Sequence, residues 1–194
     1  MLDTILTQKS ISTKMKITGK AIVTLCVVAL AVVLPQIVHA ALGAPGGVKW
    51  LPMYLPVLIG GCLLGARWGF AAGLLSPLAS FFITSAITDP MPAAARLPFM
   101  MAELAVFAVV SGLFTKLIAK NGAWAFAAVI SAQLVGRAVF LGSVALFGKG
   151  TPFTVPMIWG QIKTGALGLL IQAIIAPVII IALKKLMIKD SADE

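Results

Sequence analysis

Three ionisable side chains, Glu103, Arg137 and Lys163, lie inside long apolar runs of this 194-residue chain, and any chemistry has to start from them. An ionised group at the centre of a bilayer costs about 2.5–3.5 kcal/mol on insertion scales, so each needs a partner or a water-filled opening. Glu103 stands four positions into a run that starts near Phe99, and Lys163 six positions into one that starts near Met157. At about 1.5 Å per helical residue, Arg137 lies roughly 22 Å along the run that begins at Gly122. If successive runs alternate in direction, all three fall in the same outer half of a membrane. Two uses fit them. They can form a buried ion-pair network that ties helices together, or they can line a polar cavity, open to the outside, for a small solute with an anionic or zwitterionic group. The loops favour the cavity. His39, the GAPGG segment at 43–47 and the loop at 88–98 flank the same mouth, and irregular backbone at membrane depth is tolerated where it lines a cavity or is covered by protein. Trp50, Tyr54, Phe99 and Trp159 could stack on a planar ligand there, or serve as interfacial anchors.

Other chemistries find little support. A Ser/His dyad would have to use the single histidine, His39, and no G-x-S-x-G turn accompanies it. No G-x-x-x-x-G-K-[ST] phosphate loop occurs, so the chain is not expected to hydrolyse ATP by itself, and neither a catalytic residue nor a bound cofactor is expected. Cys26 and Cys62 sit in apolar runs without metal-ligand spacing and read as small packing residues.

The elements that must position these groups are membrane helices. The chain is 60% hydrophobic and 11% charged, more apolar than a soluble domain of this size requires. Its basic residues occur in short segments between the apolar runs, so the net charge of +9 reports topology rather than a nucleic-acid surface. Six spans are expected, at about 20–38, 51–66, 68–87, 99–118, 122–147 and 157–183. Residues 1–19 form a polar leader, with Leu2, Ile5 and Leu6 available to an interfacial helix, and 187–194 a polar tail around the six-helix domain of 20–186. The run after Lys20 ends in PQIVHAALGA, which imitates a cleavage site, but about 19 apolar residues suit a retained span. Residues 39–50 read as a Gly/Pro-rich loop. The stretch from Leu51 to Ser80 is a hairpin whose only charge is Arg67 at its turn, with small residues such as Gly61, Gly69 and Gly73 that let helices approach closely. Placing both termini in the cytoplasm puts ten Lys and Arg inside, including Arg67, Lys116, Lys120, Lys184 and Lys185, against Lys49, Arg96 and Lys149 outside. The tryptophans agree, with Trp50 and Trp159 at the outer boundary and Trp68 and Trp124 at the inner one.

Several segments together resemble the substrate-binding S component of an energy-coupling factor (ECF) vitamin transporter. They are PQIVHA at 35–40, LPMYLPVLIGGCLLGARWGFAAGLLSPLASFFIT at 51–84, MP at 91–92 with PFMMAELAVFAVVSGLF at 98–114, and AQLVGRAVFLG at 132–142. The resemblance covers most of the chain beyond residue 20 and points to the broad group that imports pantothenate, folate, cobalamin and queuosine-type compounds. It implies an all-α, six-helix membrane protein of the cell membrane that binds its ligand near the outer face under the loops after the first and third helices. It also implies work with a transmembrane coupling protein and two cytoplasmic ATPases that use the ATP, and a toppling of the whole S component to carry ligand inward. Carried onto this chain, it places Glu103, Arg137 and Lys163 in the pocket, with His39, Gln133 and Gln161 beside them. The small residues Ala21, Cys26, Ala29 and Ala31 of the first helix stand where relatives dock the coupling protein. A membrane scaffold like the rod-shape-determining membrane protein D, or a stand-alone ion-coupled carrier, remains an alternative reading.

Overall fold

The computed structural model describes residues 12–87 and 89–189, so the segment carrying Leu2, Ile5 and Leu6 lies outside the described residues. The apolar runs form seven helices among the described residues: α1 (Thr13–Trp50), α2 (Tyr54–Leu64), α3 (Ala66–Ser85), α4 (Leu97–Leu113), α5 (Thr115–Lys120), α6 (Trp124–Phe147) and α7 (Val155–Lys189). Five stretches are long and apolar enough to cross a membrane: Thr13–Gly43, Pro45–Leu64, Ala66–Ser85, Trp124–Phe147 and Val155–Met187. α4 has 17 residues. At about 1.5 Å per residue it falls a little short of a ~30 Å hydrocarbon layer, and α5 continues it after Phe114. The protein is an all-helical, multi-pass membrane protein.

Two boundaries differ from the sequence expectation. Helix begins at Thr13 rather than at Lys20, and α7 runs on to Lys189, so parts of the expected leader and tail are helical. The expected loop at 39–50 is helical as well, apart from one break. Pro45 lacks an N–H, and its ring crowds the preceding turn, so the helix cannot run straight through it. Gly43 absorbs the bend at φ 68°, a left-handed value that glycine adopts without cost. Pro45 then stands near the start of a short new helical segment, where proline is well tolerated. That segment ends at Leu51, which is itself left-handed at φ 49°.

The Leu51–Ser80 hairpin folds as expected, although its turn is the single residue Gly65, at φ 84°, rather than Arg67, which is exposed in the first turn of α3. α2 stands at the centre of the bundle and packs against α1, α3, α4, α6 and α7. Its Val57, Leu58 and Cys62 join Leu104, Phe107 and Ala108 of α4 and Ala128, Val129 and Ala132 of α6 in one core. Glycine makes these contacts close: a Cβ on Gly73 would overlap the backbone of Leu104 and Ala105, and one on Gly112 the backbone of Gly65 and Ala66. α1 and α7 carry the least buried faces of the bundle.

Candidate functional site

The break after Gly43, the loop between α3 and α4 and the connection between α6 and α7 meet at one end of the bundle, where they enclose a cavity of about 320 Å³. Two sets of hydrogen bonds shape it. Ser80 Oγ donates to the Met91 carbonyl at 2.7 Å, and the Met91 N–H donates to Thr84 Oγ1 at 2.7 Å, so the loop folds back over the end of α3. On the other side Gln172 Nε2 donates to the carbonyls of Trp50 and Leu51 at 2.8 and 3.0 Å, the second of which also accepts the Tyr54 N–H, and so ties α7 to the end of α1. The walls are mostly apolar, with Pro35, Met53, Met91, Met100, Phe153 and Met157 among them.

The polar part of the lining comes chiefly from His39, Tyr54, Arg96 and Gln161. His39 Nδ1, Arg96 Nε and Gln161 Oε1 are buried and have no hydrogen-bond partner in the protein. A buried polar atom without a partner carries a desolvation cost that a ligand group can remove. The His39 ring lies against the backbone of Gly47 so closely that a Cβ there would overlap it. Arg96 stands just before α4, with its guanidinium carbon 5.6 Å from the centre of the Phe140 ring.

Beneath this cavity lies a second polar group. Arg137 Nη1 is 2.9 Å from Glu103 Oε1, and the Tyr54 hydroxyl donates to Glu103 Oε2 at 2.5 Å. The Arg137 guanidinium carbon also lies 4.8 Å from the centre of the Tyr54 ring, whose edge packs on Phe107 at 5.0 Å between ring centres. Glu103 is fully buried and Arg137 is 8% exposed. Tyr54 belongs to both groups: its hydroxyl is tied to Glu103 while the residue lines the cavity, so the ion pair below fixes part of the surface above.

The remaining expected residues separate from this centre. Lys163 is exposed on α7, with Nζ 5.9 Å from the ring of Trp159, itself about half exposed. The expected opening lined by Glu103, Arg137 and Lys163 is therefore corrected: the first two pair in the interior and the third lies on the outer face. Gln133 donates to the Leu169 carbonyl at 3.0 Å and so joins α6 to α7 instead of reaching the cavity. Trp50 does not line the cavity either; it offers its carbonyl to Gln172 and its ring to Lys49. Phe99 packs with Phe140, Val144 and Ile158 in a separate apolar cluster. On α1, Cys26 and Ala29 are exposed and Ala21 is half-buried, whereas Ala31 is fully buried in the core and drops out of any docking face.

Arg96 is the residue that sequence reasoning missed. It counted as one loop cation in the topology tally, and the available signal was its place in the three-proline loop, just before the apolar run carrying Glu103. The cavity methionines gave no periodic signal, because they come from the α1–α2 break, the α3–α4 loop, α4 and α7.

The comparisons with known proteins give one match: the family model described as "ECF transporter, substrate-specific component" matches residues 20–180. No curated protein and no solved structure matches the chain significantly.

Proposed function

The chain belongs to the family of ECF transporter substrate-specific components, and on that footing we propose that it is the subunit that captures a vitamin-like micronutrient in the cavity beneath the α3–α4 loop. The family is one of transporter binding components rather than of enzymes. The observation that carries the reading is the cavity itself, an apolar chamber with three buried, unpartnered polar atoms of His39, Arg96 and Gln161 on its walls. A largely apolar pocket with a few convergent polar groups is the usual form of a small-molecule site.

In this reading α4 with α5 completes a six-span bundle with both termini in the cytoplasm, and the cavity faces outward. The excess of Lys and Arg at the opposite end supports that orientation. Delivery inward uses a transmembrane coupling protein and two cytoplasmic ATPases, since the chain carries no nucleotide motif of its own. Cys26 and Ala29 lie on an exposed face of α1 where a coupling protein could dock closely.

The test is mass spectrometry of small molecules released from the protein purified in nanodiscs, followed by calorimetric titration of the released compound into wild type and Met100→Trp. A compound that binds wild type and loses at least about tenfold in affinity when the larger ring fills the cavity supports the reading. An equal affinity in the two proteins would move the site elsewhere.

A further inference from the structure

One fixed charge on the cavity wall limits what can fill it. Glu103 and Arg137 neutralise each other below the floor, and Arg96 is the only Asp, Glu, Lys or Arg that lines the space among the described residues. Arg96 has no ion-pair partner among those residues, and its buried Nε–H has nothing to donate to. A cation in that position is relieved by a bound anion, which removes both the unpaired charge and the unmade hydrogen bond. Gln161 presents the opposite valence, a buried amide oxygen that can only accept. The same lining carries the flexible thioethers of Met53, Met100 and Met157, which adapt to an irregular apolar body.

The geometry points to a small organic monoanion as the ligand: a carboxylate held by Arg96, an apolar middle against the methionines, and a separate hydrogen-bond donor directed at Gln161. This rests on the binding-component reading above and narrows it to a ligand class. A cationic ligand would face Arg96 with no carboxylate to receive it. A phosphate monoester would bring a second negative charge, and no second Lys or Arg among the described residues lines the wall to meet it, where an uncompensated buried charge is costly. The volume, near the lower end of the ~300–1,000 Å³ usual for ligand pockets, also excludes a cobalamin-sized compound.

The test uses three probes of one shape that differ only in the head group: 3-phenylpropionate, 3-phenylpropanamide and 3-phenylpropylamine, each titrated at a common concentration range into the nanodisc-embedded protein while thermal unfolding is followed. The acid is expected to raise the midpoint of wild type, and the amide and the amine to leave it in place. In Arg96→Gln the Kd of the acid is expected to rise about tenfold or more, the order set by loss of one charge-assisted hydrogen bond, and Arg96→Lys to recover part of it. Lys149→Gln removes an exposed cation from the adjoining α6–α7 connection and is expected to change nothing; a loss equal to that in Arg96→Gln assigns the effect to surface charge and overturns the proposal. Equal shifts from the amide or the amine also overturn the monoanion assignment while leaving the cavity a binding site. If none of the three shifts the midpoint, the charge of the compound released from purified wild type decides: an acid upholds the proposal, a neutral or cationic compound overturns it, and the absence of any compound overturns it together with the binding reading.

Discussion

The Glu103–Arg137–Tyr54 group and the cavity above it are built from similar polar residues in the same apolar bundle, yet they differ in how their valences are used. In the lower group the charges answer each other: Glu103 Oε1 stands 2.9 Å from Arg137 Nη1 and Oε2 accepts from the Tyr54 hydroxyl, although Arg137 Nε and Nη2 are buried without hydrogen-bond partners. In the upper group the polar atoms of His39, Arg96 and Gln161 end without partners inside the protein. Polar residues alone therefore do not mark a site in a membrane bundle. A set whose charges pair within the protein acts as a fastener between α2, α4 and α6, while an open set, whose cation has no anion, is left for a solute. Tyr54 joins the two, so a ligand above would rest on a ring held in place from below.

This contrast is broken most severely by Glu103→Ala. It leaves the Arg137 guanidinium buried without its anion, and removal of one member of a buried pair costs about 3–5 kcal/mol. Thermal unfolding in detergent, followed by size-exclusion fluorescence, should show a strong loss of folded protein. The double change Glu103→Leu with Arg137→Leu should restore most of it, because an apolar pair of similar volume removes both charges together. Unfolding of Glu103→Ala at the wild-type temperature would show that the lower group is not a fastener.

Tyr54→Phe is a milder intrusion. The ring keeps its place against Phe107, but Glu103 loses a donor, and an unmet buried acceptor costs about 1–3 kcal/mol. The same unfolding assay checks it, and an effect as large as that of Glu103→Ala would mean that the hydroxyl, rather than the cation, carries the group. In the open set the order of effects should reverse. Arg96→Gln gives up a contact with Phe140 worth roughly 0.5–1 kcal/mol and little else in the ligand-free protein, so its stability should stay near wild type while acid binding falls. The smallest effect belongs to Lys163→Gln. Its side chain is exposed on the far face of α7, so both the unfolding midpoint and ligand affinity should stay within error, a change under about 0.5 kcal/mol. A clear loss of ligand affinity in that variant would return Lys163 to the site.

Much of this arrangement was legible in the sequence, and where it was not the reason is specific. That Glu103 and Arg137 need partners followed from the cost of either charge alone in an apolar run, although not that they would partner each other, and the α2–α3 hairpin followed from small residues on either side of one turn. Lys163 has a similar sequence environment to Arg137 but the opposite fate. The long stem of a lysine can run along an exposed helix face toward a water interface, so an apolar context does not oblige it to point inward. The expected loop at 39–50 is helical on either side of Gly43 because that single residue takes the bend that Pro45 imposes. Gln133, expected beside the pocket, instead found a backbone carbonyl of a neighbouring helix, as Gln172 also did, a partner that composition cannot reveal.

By itself the sequence determined that the chain crosses a membrane several times, that its charge asymmetry gives the bundle two unlike ends, and that buried charges must find partners. Those conclusions depend on transfer free energies, which are properties of residue type and run length. Only the tertiary structure decided which charge faces which, because that depends on helix rotation and on long-range contacts. The hydrogen bonds that join Ser80 and Thr84 to Met91 fold a loop over the end of α3, and in that setting Arg96 ceases to be a topology marker and becomes, among the described residues, the one Lys or Arg lining the cavity.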